Sequence, residues 1–522
     1  MKTIEESCCV VTVSEAPLDL SSLSQNKAMS CSGVYLNYQS GIVICTGIVF
    51  SNFVSEKQKV KKDLQTLHSD SFSKDMKVYV DHTELTDVSY KLMDRPNVIR
   101  QEAELLMMVN CVEFQDAFHK IFKGADNWGF YGGIEDSGVL EDSTFLSWFA
   151  FLKVPSSSTY SESLPWLKSD TLKKGFSVLA CGSPFGGLCP DLFMNTVSKG
   201  IVSNLAGDEN ALILTDARCL PGTEGGGLFV SEEDRAYLVG LIISPLCWKS
   251  EEWIGLTLVC SVDLILKNAL KAVGSQETLT EMSLHFIRKS LQAPLTNRRS
   301  ESERYPGVVL IDADRLWGSG VLLNQHLVLT CRHLVNEKSL VTVKADLGGR
   351  FHVMSGKVLY SSAPSSPYDI AVVELQEPLM NIVTPRFARH FYPGEDVVVV
   401  GFGALGGSSG PSFTSGILSR VITHQSQPVM LQTTCAVHSG ASGGAVVRSG
   451  TGELLGIVSS NTRDYSAKVT YPHLNFSVPV TVLEPLLGLF AQTGNAAVFK
   501  ALDSAEKDVR KTWRLQSLQS KL

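Results

Sequence analysis

The chain has 522 residues, 44% of them hydrophobic, with 42 glycines and a net charge of −7. At about one domain per ~150 residues this length calls for more than one domain, and mild acidity without a basic–aromatic patch argues against a nucleic-acid surface. No window approaches the ~18 uncharged apolar residues of a membrane span, and no apolar stretch follows Lys2 to form a secretory leader.

The 12 cysteines are scattered and form no C-x-x-C pair, although Cys8 and Cys9 are adjacent. Without a secretory signal this predicts reduced, mostly buried thiols rather than a disulfide framework, and no structural zinc.

Taken in order, β-branched runs at 9–13, 33–36 and 41–45 read as strands. Residues 51–140 read as polar and irregular, with a solvated basic loop at 56–62 and helical spacing from Gln101 to Phe122. Strand signals return at 176–180, 211–214 and 237–242. A helical pattern over 262–291 leads into the polar, charged stretch 296–304, the natural domain boundary. Strands resume at 307 and continue to about Val480, before a helical tail. Many short strands with Gly-rich turns predict an all-β architecture of barrels or sandwiches.

Three positions in the second half carry chemistry. Ser442 sits in Ser439-Gly440-Ala441-Ser442-Gly443-Gly444-Ala445, shortly after the apolar run Val429-Met430-Leu431. Glycines on both sides let the chain turn sharply and let a substrate carbonyl approach, as a nucleophilic serine requires. His333 ends a strand in Leu329-Thr330-Cys331-Arg332-His333, and Asp369 precedes another in Tyr368-Asp369-Ile370-Ala371-Val372-Val373. Each has a plain structural reading alone. Together they have the His, Asp, Ser order of a nucleophile–base–orienter triad.

Residues 305–485 resemble a trypsin-like serine protease domain, on Gly318-Ser319-Gly320-Val321-Leu322-Leu323, on the Asp369 strand and on Gly440-Ala441-Ser442-Gly443-Gly444, the last closer to Deg-type proteases. The resemblance implies a chymotrypsin-like double β-barrel with the site between barrels. It makes Ser442 the nucleophile, His333 the general base and then acid, and Asp369 the orienting carboxylate. The N–H groups of Gly440 and Ser442 form the oxyanion hole. It puts Ala436 at the base of the substrate pocket, with Ser459 and Asn461 on its wall. The pocket then lacks an acid and is shallow, which suits a small P1 residue such as Cys, Ala or Ser. The triad supplies base and nucleophile, so neither metal nor organic cofactor is expected.

Gly401-Phe402-Gly403-Ala404-Leu405-Gly406 fits G-x-G-x-x-G, but the Gly407-Ser408-Ser409-Gly410-Pro411 that follows cannot open a helix. It reads as a loop of the second barrel.

The first half repeats the second with its chemistry removed. Ser32-Gly33-Val34 echoes Ser319-Gly320-Val321, and Gly182-Ser183-Pro184-Phe185-Gly186-Gly187 echoes a Deg-type loop. Pro221-Gly222-Thr223-Glu224-Gly225-Gly226-Gly227 echoes the nucleophile turn. In this alignment Gly47, Trp148 and Glu224 stand opposite His333, Asp369 and Ser442. The expected organisation is a tandem: a degenerate trypsin-like copy at 1–265 with an insertion around 51–140, a helical segment and linker at 266–304, an active copy at 305–485, and a tail at 486–522.

The chain ends in Ser520-Lys521-Leu522, a peroxisomal import address. With the degenerate and intact halves, it resembles the peroxisomal leader-peptide-processing proteases, related to plant peroxisomal Deg proteases. That resemblance implies an enzyme of the peroxisomal matrix that removes leader peptides from imported precursors, cleaves β-oxidation enzymes and cleaves itself, with Cys111 a candidate site. It implies the import receptor as a partner of the terminal tripeptide and leaves room for homo-oligomers. The rival readings are a general Deg-type quality-control protease and a non-catalytic scaffold of two protease-like modules.

Overall fold

The structure is a computed structural model. It describes residues 2–15, 28–55, 64–83, 98–122, 128–130, 145–155, 163–188, 190–232, 235–249, 252–274, 305–314, 316–335, 338–348, 350–403, 405–464 and 469–513. The chain divides into two compact units, Met1–Ser250 with Gly255–Arg298, and Arg299–Leu522 with Glu251–Ile254.

The first unit begins with β1 (Cys8–Ser14), β2 (Met29–Asn37), β3 (Ile42–Thr46), β4 (Thr66–His68), β5 (Lys77–Thr83), β6 (Val98–Asn110), β7 (Trp128–Phe130) and β8 (Trp148–Lys153). A ring β6-β5-β1-β2-β3-β8 closes through β6–β8 pairing, with β4 added outside β6. Its second ring uses β9 (Ser177–Gly182), β10 (Thr196–Ala206), β11 (Leu212–Thr215), β12 (Gly227–Glu232), β13 (Arg235–Lys249) and β14 (Glu252–Ser261). They are ordered β12-β9-β10-β11-β14-β13 and closed by β12–β13, with β7 against β13.

The second unit repeats this plan with two closed barrels. One holds β15 (Val308–Ala313), β16 (Leu316–Leu322), β17 (Leu327–Thr330), β18 (Leu340–Asp346), β19 (Phe351–Ser361) and β20 (Ala371–Leu375). The other holds β21 (Asp396–Gly401), β22 (Ser412–His424), β23 (Gln427–Thr433), β24 (Ala445–Arg448), β25 (Leu454–Asp464) and β26 (Val469–Pro479). Alternation fills each interior: on β18 the residues Val341, Val343 and Ala345 are buried while their neighbours face outward. The all-β double-barrel tandem is therefore the observed fold.

Two sequence expectations change. Gln101–Asn110 is the end of β6, and only Val112–Phe122 is helical. Ala103 and Leu105 alternate with the exposed Glu102 and Glu104, and after a bulge between Leu105 and Met107 the residues 107–110 are all buried, a mixed pattern that the adjacent helix disguised. Consequently the span 51–140 is not one insertion. It supplies barrel strands β5 and β6, and the additional pieces are β4, the helix Val112–Phe122 and β7. The basic loop at 56–62 lies outside the described residues, as does the whole 296–304 boundary stretch.

Among the described residues ten cysteines are free thiols, all but Cys219 buried. Among the described residues no helix is long and apolar enough to cross a membrane.

Candidate active site

β17 ends at Thr330 and a single helical turn, Arg332–Val335, carries His333. Thr330 pairs with Ala371 at the start of β20, so the register alone brings Asp369 alongside this turn. Arg332 N–H donates to the Asp369 carbonyl (3.2 Å), and His333 N–H donates to Asp369 Oδ1 (3.0 Å). His333 Nδ1 bonds Asp369 Oδ2, and Arg332 Nε lies 3.4 Å from Oδ1. Burial alone would raise the Asp369 pKa. The bond and charge of His333, with Arg332, overcome it and hold the carboxyl below its ordinary value. The group stays an acceptor toward both the His333 ring nitrogen and the His333 N–H.

Ser442 stands on a turn built by two glycines at positive φ, Gly440 at +93° and Gly443 at +82°. At Gly440 a Cβ would sit 2.1 Å from the Trp317 ring and 2.5 Å from the Phe402 carbonyl, so both conformation and space demand glycine. The turn is anchored to the other barrel. Ser319 N–H donates to the Ser442 carbonyl (2.8 Å); Ser319 Oγ donates to the Gly440 carbonyl (2.8 Å) and accepts from Phe402 N–H (2.8 Å). The Val458 carbonyl joins the two halves of the site, accepting from Gly443 N–H (2.7 Å) and from Cys331 Sγ (3.2 Å). Among the described residues the Ser442 hydroxyl bonds the Ser459 carbonyl at 3.4 Å and not His333; without substrate, such nucleophile–base bonds are commonly long.

Ala436 is buried, its carbonyl taking the Thr414 hydroxyl (2.8 Å). Ser459 is buried next to Ser442. Asn461 pairs with Asn475 on β26; its side chain is outside the described residues. Ser520, Lys521 and Leu522 also lie outside them. The glycine stretch after β21 opens no helix, only a 3-10 turn at Gly406–Ser408. Its Phe402 N–H bonds Ser319, which braces the Ser442 turn, so the nucleotide-like motif is part of this site's frame. Sequence reasoning missed Ser319 and Trp317, although Ser319 lay inside the recognised Gly-Ser-Gly.

Cys331, His333 and Asp369 offer three metal-ligand atoms within 4.8 Å of one another. The fit is poor. The Cys331 thiol is fully buried, burial and then the Asp369 charge push its pKa well up, and it already donates to Val458. A thiol must lose its proton to ligate.

A trypsin-like peptidase domain model matches residues 318–457. The peroxisomal leader peptide-processing proteases of Mus musculus and Homo sapiens are each 38% identical to this chain over an alignment of 558 residues, spanning 99% of it and 97% of each relative. The chain belongs to this family. It is a peroxisomal serine endopeptidase. A probable periplasmic serine endoprotease, DegP-like, from Pseudomonas savastanoi is 39% identical over 113 residues, 20% of this chain and 22% of that protein.

The other half of this family member keeps the frame of the site without its chemistry. Ser32 Oγ bridges the Gly222 carbonyl (2.7 Å) and Ser183 N–H (2.8 Å), as Ser319 does for Gly440 and Phe402. Ser32 N–H donates to the Glu224 carbonyl (2.8 Å), so Glu224 occupies the place of Ser442. Gly222 (φ +96°) and Gly225 (φ +84°) match Gly440 and Gly443. The Glu224 carboxylate accepts from Gly222 N–H at 2.6 Å, the group equivalent to Gly440 N–H. It thus occupies the N–H that corresponds to Gly440 N–H.

One pairing of the repeat shifts. Gly47 N–H donates to the Trp148 carbonyl (2.7 Å) as Arg332 does to Asp369, so Ile48, not Gly47, stands opposite His333, and Cys45 stands opposite Thr330. The sequence alignment slipped by one because strand-end residues carry no periodic signal. Trp148 remains opposite Asp369, buried in the core.

Proposed function

We propose that this protease processes imported peroxisomal matrix proteins, removing N-terminal leader peptides and cleaving β-oxidation enzymes. Ser442 attacks the scissile carbonyl, His333 takes its proton and returns it to the leaving amine, and Asp369 holds the imidazole. Gly440 and Ser442 N–H groups receive the oxyanion. The observation that carries this reading is the doubly bonded His333–Asp369 pair, joined to the Ser442 turn through the Val458 carbonyl. The relatives' shared name supports the substrate class. The neutral pocket at Ala436 and Ser459 suits a small P1 residue, and the terminal Ser520-Lys521-Leu522 suits an import receptor.

Self-cleavage belongs to the same proposal, with Cys111 the candidate site. Cys111 is fully buried where β6 meets the helix Val112–Phe122, and its N–H donates to the Ser147 carbonyl (2.8 Å). Cleavage there requires this junction to open first, so it is slower than cleavage of an exposed leader.

The test is incubation of wild type and Ser442→Ala with a leader-bearing matrix precursor, followed by mass spectrometry of every fragment. Cleavage by wild type alone, after a small P1 residue, is expected. Equal fragments from both would move the scaffold reading to the front.

A further inference from the structure

The chain continues past the last barrel strand through a helix, Val480–Thr493, a 3-10 helix, Ala496–Ser504, and a final helix, Lys507–Trp513. This extension reaches the loop between β19 and β20, which carries Asp369. The loop's own barrel holds it near its base, where Ser362 N–H donates to the Ile370 carbonyl (3.0 Å) and Asp369 takes the N–H groups of Arg332 and His333. Its outer part is held by the extension. Asp503 Oδ1 accepts from Ala363 N–H (2.7 Å). The Ser366 hydroxyl donates to the Leu502 carbonyl (2.8 Å) and accepts from Tyr368 N–H (3.2 Å), one residue before Asp369. The Trp513 ring stands edge-on to Tyr368, with centroids 6.1 Å apart.

The extension is itself fixed. Phe499, fully buried, packs between Tyr360 and Phe490, with ring centroids at 5.6 and 5.3 Å. Arg510 donates to the carbonyls of Asp503 (2.8 Å) and Ala505 (3.1 Å). Trp513 Nε1–H donates to the Val429 carbonyl of β23 (3.1 Å), and Glu506 pairs with His424 of β22 (2.8 Å). One segment therefore grips the Asp369 loop from the first barrel of this unit and two strands of the second.

We propose that residues 496–513 form a positioning strap, in which Asp503, the Leu502 carbonyl and Trp513 set the height and angle of Asp369 against His333. The strap rests on the reading of Asp369 as the orienting carboxylate. It matters because His333 is held in place by that one side chain, and misplacement of a catalytic group by an ångström costs up to about 100-fold.

The test compares Asp503→Ala, Asp503→Asn, Ser366→Ala and Asp369→Asn in the full chain. Readouts are kcat and KM on a leader-derived peptide, circular dichroism, and the deshielded His333 Nδ1 proton by NMR. Asp503→Ala and Ser366→Ala are expected to lower kcat by about 10-fold or more with little change in KM, and to broaden or shift the Nδ1 signal. Asp503→Asn keeps the acceptor and should hold kcat near wild type. Ser366→Ala, which removes one hydroxyl, decides the matter if Asp503→Ala does not fold. Folded variants with wild-type kcat and an unmoved Nδ1 signal overturn the strap. Wild-type kcat in Asp369→Asn would instead overturn the orienting role of Asp369, and the strap with it.

Discussion

Asp369 and Glu224 are carboxyls pushed in opposite directions by the same fold. Asp369 is held below its ordinary pKa, so its carboxylate favours the folded state at pH above the ordinary value, and that contribution is lost as pH falls from there through the lowered pKa of the folded state. Replacing it by Asn keeps the volume but lets the imidazole settle in the wrong tautomer, and kcat should fall by about 10³ to 10⁴; a steady-state assay under conditions where circular dichroism shows both proteins folded checks this. Glu224 is raised from 4.5 to about 7 by burial, against the opposing bonds from its own N–H and that of Gly222. The folded state therefore holds the proton more tightly than the unfolded chain. Stability from Glu224 is full below the unfolded pKa and is lost as pH rises toward 7, where a charge must be buried. A shift of this size is worth roughly 3 kcal/mol. Glu224→Gln, which keeps an acceptor for Gly222 N–H, should gain on wild type between pH 5 and pH 8 in urea-unfolding midpoints. Parallel curves would mean the carboxyl titrates as an exposed one.

At the scale of elements, the turns are more demanding than the strands. Gly440→Ala places a methyl against Trp317 and the Phe402 carbonyl at a φ that alanine disfavours, so the turn must rotate its N–H groups away from the oxyanion position. The expected result is a loss of about 10² to 10³ in kcat with a small change in KM. Trp317→Ala in the same chain should not restore it, because φ and Phe402 remain. These turns were readable in the sequence because glycine, serine and their order are local signals, and the His333 and Asp369 flanks were readable for the same reason. What escaped was set by long-range pairing. β6 looked helical because it runs directly into the helix Val112–Phe122, and its exposed Glu102 and Glu104 alternate with buried residues only over a short stretch. The pairing of Ile48 with His333 depends on one backbone bond from Gly47 to Trp148. The roles of Ser319 and Phe402 appear only once β16 and β21 meet.

For the whole molecule the two copies differ in what fills one frame. Where the second unit has His333, Asp369 and Ser442, the first has Ile48, Trp148 and Glu224, a hydrocarbon, a buried indole and a carboxylate lying on its own oxyanion donor. No single substitution can revive it, since a serine at 224 would find neither a base at 48 nor an orienting acid at 148. A fluorophosphonate probe should therefore label the full chain at one site, with one equivalent bound at Ser442 by peptide mapping. Ser442→Ala should take none. Glu224→Ser should leave the stoichiometry at one, and leader cleavage by the Ser442→Ala, Glu224→Ser double variant should stay absent. A second equivalent on Glu224→Ser would mean the first unit supplies a base that the positions of Ile48 and Trp148 do not reveal. One equivalent throughout assigns all the peptide-bond chemistry to the second unit, and leaves the first to act through the surfaces of its barrels.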